Sequence, residues 1–97
     1  MSALRKLADG KECQMRFPGV CNGNPATTVL AHIRMAGITG TGLKAPDLLG
    51  AWLCKDCHDL TDGRTHLSDG QAERVRLSFF EAVIRTQYQL IRMGAVK

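Results

Sequence analysis

The stretch Cys54-Lys-Asp-Cys57-His58 decides how this chain reads. Two cysteines separated by two residues sit on a tight turn that presents two thiolates to one tetrahedral ion, at about 2.3 Å each. Working outward, the remaining cysteines are Cys13 and Cys21. They complete a four-thiolate zinc site, in which the seven residues between them make the first knuckle an enlarged loop. Four thiolates leave the ion no open position, so the expected role of the zinc is structural. Three other uses of these residues compete. His58 replacing one cysteine would give a mixed site. A redox Cys-x-x-Cys would occupy one pair only and lacks a βαβ setting. Cys-x-x-Cys-His is also the attachment pattern of c-type haem, but it leaves Cys13 and Cys21 without a role and no axial methionine stands out.

The totals agree with a small metal-stapled domain. A chain of 97 residues, 44% apolar and 23% charged, forms one domain, residues 1–97, with a thin core that a metal would reinforce. No apolar run is long enough to span a bilayer, and the first ten residues lack the apolar stretch of a signal peptide. The expected location is the cytoplasm, where thiols stay reduced and metal binding is favoured over disulfides. A net charge of +4 suits approach to a polyanion without proving it. Its basic residues are spread along the chain, and five aromatic residues give no platform for stacking single strands.

Local patterns predict the order of elements. Residues 2–9 carry Leu4 and Leu7 on one side of a short helix. Thr27 to Ile33 is β-branched and apolar, and Leu48 to Leu53 is a second apolar run, so the two are expected to pair as a hairpin joined by the glycine-rich residues 36–46. A short helix begins near Lys55. From Ser68 to about Met93 the pattern is that of one long helix, opened by a Ser68/Gln71 capping box and stopped at Gly94. Its expected core stripe is Val75, Phe79, Val83, Leu90 and Ile91, with Phe80 and Ile84 beside it.

A closed zinc site leaves the three histidines for other work. A lone histidine on a strand such as His32 is ordinarily a packed side chain bonded to a backbone carbonyl. Beside a zinc-framed hairpin, however, its neutral imidazole can accept a proton from water near neutral pH. Phosphodiester hydrolysis needs such a base, together with a cation that stabilises the charge developing at phosphorus. His58 and His66 are candidates to hold that cation, which imidazole ligands would suit to zinc, nickel or manganese better than calcium. Asp47, Asp59 and Asp62 are candidate carboxylate helpers. Arg34, Lys55 and Arg64 are candidate phosphate contacts.

At these residues the chain resembles a known family. The segments from Glu12 to Pro25, Leu30 to Arg34, Pro46 to Leu48 and Cys54 to Asp59, with Arg64-Thr-His66, are similar to the YbcO-like nucleases of prophages and lambdoid phages. That family is placed among the HNH, or ββα-metal (His-Me finger), endonucleases. The resemblance implies an α+β fold, a small zinc-stabilised, treble-clef-like ββα-metal domain with a long C-terminal helix. It implies His32 as general base and His58 as a metal ligand. Ala31 stands where many such sites carry a further ligand, and Asp47 is the polar residue nearest to the missing asparagine of the pattern.

The resulting expectation is a phage or prophage endonuclease that hydrolyses DNA with a structural zinc and a second divalent cation, magnesium, manganese, nickel or zinc. DNA, duplex or branched, is the expected partner. No membrane is expected, and the chain is a monomer or a dimer. The alternative is a non-catalytic zinc module that binds nucleic acid or a phage protein.

Overall fold

The expected order of elements is present in a computed structural model, which describes residues 3–39, 44–63 and 67–96. Helix α1 (Ala3–Leu7) leads through the Cys13–Cys21 loop to strand β1 (Val29–His32). Strand β2 (Gly50–Leu53) pairs antiparallel with it, from Val29 opposite Leu53 to His32 opposite Gly50. Helix α2 (Lys55–Thr61) follows directly, and α3 (Asp69–Arg92) closes the chain. The architecture is a small α+β unit: a two-stranded sheet against a long C-terminal helix.

β2 is the centre of the core, buried along its whole length. Alternation sends Ala51 and Leu53 toward Val75, Val83 and the cysteines, and Trp52 toward Ala8 and Leu90. The open edge of β2 is covered rather than left as a template for aggregation. The Trp52 N–H donates to the Thr86 hydroxyl of α3 at 3.0 Å, and the Trp52 carbonyl accepts from the Gln14 N–H at 2.7 Å. Arg85 adds a bond to the Gln14 carbonyl at 2.8 Å, so the first cysteine loop, the sheet and α3 are tied together.

Two details differ from the expectation. The strands are shorter, because Pro25–Thr27 and Asp47–Leu49 turn as single 3₁₀ turns. Asn24 caps the first by accepting from the Ala26 N–H, and Pro46 stands before the second. The buried face of α3 is Val75, Ala82, Val83, Thr86 and Leu90; Ile84 and Ile91 point outward at 65% and 57% exposure. The small Ala82 and the hydroxyl of Thr86 are what let the helix approach β2 closely. The helix ends themselves follow the sequence: both halves of the Ser68/Gln71 capping box form. Gly94, at φ 76°, closes the C-terminus with Ala95 N–H donating to the Leu90 carbonyl.

Candidate metal centre and active site

The two cysteine turns converge where α2 begins. Cys54 is the N-cap of α2, and its sulfur accepts the Cys57 N–H at 3.4 Å. Cys13 does the same for the Arg16 N–H at 3.4 Å, which requires Arg16 to adopt φ 49°. The chain then doubles back through Gly19, with the Cys21 N–H donating to the Phe17 carbonyl at 3.0 Å. Each turn thus aims N–H groups at a sulfur, an arrangement that stabilises a thiolate.

All four Sγ atoms lie within 4.8 Å of one another, and Cys21 and Cys54 are 3.9 Å apart. Bonds of 2.3 Å at tetrahedral angles put sulfurs about 3.8 Å apart. The spacing therefore fits a tetrahedral ion and excludes a disulfide; all four are free thiols. Cys13, Cys54 and Cys57 are buried and Cys21 is half-buried. Neighbours and burial shift the protonation of Cys13, Cys21 and Cys57. A hydrogen bond from Cys57 holds Cys13 down at about 4, and the same bond pushes Cys57 far up. Burial raises Cys21. A divalent ion would draw the protons from all four. The four cysteines can hold a metal ion such as zinc.

A second constellation lies at the far end of the hairpin. His32 closes β1, and its Nε2 is 2.6 Å from Asp47 Oδ1, with His32 14% and Asp47 25% exposed. Gly50 is the partner of His32 in the sheet, where a Cβ would fall 2.8 Å from Leu30 Cδ1 and 3.2 Å from the Ala31 carbonyl. The 3₁₀ turn just before Gly50 carries Asp47 to the histidine. With the Nε2 proton donated to Asp47, the lone pair of a neutral ring is on Nδ1.

His32 borders a cleft of about 250 Å³ with Arg34 and Asp62 at its rim and Leu60, Phe79 and Phe80 in its floor. His58 faces a separate hollow with Arg5, Lys6, Asp9 and Val29. Asp62 lies between the two. One of its carboxylate oxygens accepts from Arg34 at 3.1 Å, and the other lies 3.6 Å from His58 Nε2. Lys55 is paired with Asp59 at 2.9 Å. His66 and Arg64 lie outside the described residues. Among the described residues, the cysteine cage is the one set of three or more metal-ligating side chains drawn together. Sequence reasoning named Asp47 and Asp62 only as helpers and did not reach the basic hollow of Arg5 and Lys6 beside His58. Charge on α1 was the available signal.

The model of the family described as "Putative nuclease YbcO" matches residues 2–95. The chain belongs to the YbcO family. Its relatives include "Putative nuclease YbcO" of Escherichia coli strain K12 and the protein of the same description from Enterobacteria phage 82. Each is 52% identical over all of this chain and 99% of the relative. A solved structure described as a putative bacteriophage protein from Escherichia coli K-12 MG1655 superposes with a TM-score of 0.78. It is 44% identical, over 95% of this chain and all of that one. Both relatives are described as "Putative nuclease", and one of them comes from a phage. No helix among the described residues is long and apolar enough to cross a membrane.

Proposed function

We infer that this YbcO-family chain is a metal-dependent endonuclease of the His-Me finger type that hydrolyses DNA phosphodiester bonds. The observation that carries the reading is the His32–Asp47 pair, with His32 lining a cleft, set apart from a cysteine cage that a zinc would close. The nuclease description of the relatives supports it.

Each residue has a distinct task in this reading. Asp47 fixes the ring and accepts the Nε2 proton, leaving Nδ1 of His32 as the base. Nδ1 takes a proton from water, the oxygen bonds to phosphorus as the in-line P–O bond to the leaving oxygen breaks, and that oxygen takes a proton from solvent. As the ring becomes positive, the Asp47 carboxylate offsets its charge. His58, linked to the His32 cleft through Asp62, would hold the second divalent cation, with His66 as a further candidate ligand; the cation would supply positive charge to the phosphate. Arg34, Lys55 and Arg64 engage flanking phosphates, and Arg34 and Lys55 would exchange their carboxylate partners for them. Cys13, Cys21, Cys54 and Cys57 would hold a structural zinc that ties the first cysteine loop to the start of α2.

The test is cleavage of labelled DNA by wild type and by His32→Ala, each with magnesium, manganese, nickel or zinc added. Loss of the base should slow cleavage by about 10²–10⁴ and leave zinc content unchanged. Equal rates in the two proteins would remove His32 from the chemistry. DNA binding without cleavage by wild type would favour the non-catalytic zinc module.

A further inference from the structure

The face of α3 turned away from the core is apolar as well. Leu77, Ile84, Tyr88 and Ile91 are 60%, 65%, 57% and 57% exposed. With Glu81 they fall at spacings of four, three, four and three residues. That is the 3.5-residue repeat of a helix that lies along another helix. It runs opposite to the buried Val75, Ala82, Thr86 stripe, so no part of the chain's own core uses it. We propose that this face is a self-association surface, on which α3 pairs antiparallel with α3 of a second copy of this chain.

The stripe is self-complementary about Ile84, as a two-fold interface requires. Leu77 lies seven residues before it and Ile91 seven after. With the axis at Ile84, Ile84 meets its own copy and Leu77 meets Ile91. Tyr88, four residues after the axis, comes beside Glu81, three before it, whose carboxylate can accept from the phenol.

Charge selects the same arrangement. Before Ile84, α3 carries Asp69, Glu73 and Glu81 against Arg74 and Arg76; after it come Arg85 and Arg92 and no acid. Antiparallel pairing sets a half of net charge −1 against a half of net charge +2, with Arg76 opposite Arg92 as the one like-charge pair in this register. A parallel pair would stack Glu81 on Glu81 within the seam, which is unfavourable.

The surface is modest. The stripe is roughly 21 Å long at 1.5 Å per residue. Four side chains fill less than the ~800 Å² per partner of a standard interface. The dimer should therefore be reversible and break up on dilution. This pairing does not depend on the nuclease reading.

Sedimentation of the zinc-loaded chain from about 1 µM to 1 mM, spanning weak to moderate affinities, tests the proposal. The expected mass rises from the 10.6 kDa of one chain toward twice that value. Ile84→Glu, an outward position, should stay at 10.6 kDa throughout with an unchanged melting temperature. Orientation is read by cross-linking. Leu77→Cys mixed with Ile91→Cys should link above the wild-type background, and neither should link to itself. A chain that stays monomeric at 1 mM would overturn the proposal. So would a dimer that Ile84→Glu leaves intact, or Leu77→Cys linking to itself. A monomer that binds anionic vesicles through Ile84 would overturn it as well, assigning the stripe to a lipid surface.

Discussion

Replacing Asp47 by asparagine keeps the size of the side chain and removes its charge. In the native pair the carboxylate oxygen sits 2.6 Å from His32 Nε2, and both groups are mostly sheltered from solvent. The bond gains strength when the ring accepts a proton, because an imidazolium then faces a carboxylate. A hydrogen bond to a charged group contributes about 1.5–3 kcal/mol. At about 1.4 kcal/mol per tenfold in rate, Asp47→Asn should slow single-turnover DNA cleavage roughly 10- to 150-fold. The asparagine can also turn its NH₂ toward Nε2, favouring the tautomer that puts the lone pair on the wrong nitrogen. Zinc content and melting temperature serve as controls and should hold, since Asp47 lies outside the cage. Cleavage by Asp47→Asn at the wild-type rate would refute the assignment of Asp47 as the group that orients the base. A loss that merely tracks unfolding would refute it too.

Other outcomes follow from the packing. Cys57→Ser, or zinc removal by a chelator, should melt the hairpin region, because metal affinity is folding free energy in small zinc domains; circular dichroism unchanged by chelation would count against a structural ion. Thr86→Val removes the acceptor of the buried Trp52 N–H and should cost about 1–3 kcal/mol, read as a melting point lowered by roughly 4–8 °C per kcal/mol. Neutralising Arg34 and Arg64 together should weaken DNA binding and lower the slope of log affinity against log salt by up to about 2; an unchanged slope would place the phosphate contacts elsewhere.

Much of the frame was legible because it rests on local rules. The cysteine spacings pointed to one cage, and all four sulfurs meet there. Ser68 and Gln71 gave the start of α3, and Gly94 its stop, since caps are written in a few adjacent residues. What could not be read depends on contacts between distant segments. Arg16 in a left-handed conformation has no signal in a residue type that rarely adopts it. The apolar residues of α3 occupy two opposite faces, so periodicity alone did not say which one β2 would cover. Thr86 decided it, through a bond to Trp52 34 residues away in sequence. The candidate site was legible in part. His32 stood out, but its approach to Asp47, 15 residues on, depends on the hairpin register and on the 3₁₀ turn before β2.

The central claim is a division of labour: a closed cysteine cage that holds zinc for the fold, and a separate histidine site that needs its own cation for cleavage. It is tested most directly by measuring DNA cleavage against added divalent cation, in protein whose zinc is quantified before and after. The account predicts one zinc per chain throughout, with a rate that is negligible without added cation and saturates as cation is supplied. Cleavage that needs nothing beyond the cage zinc would contradict it, and so would no cleavage with magnesium, manganese, nickel or zinc.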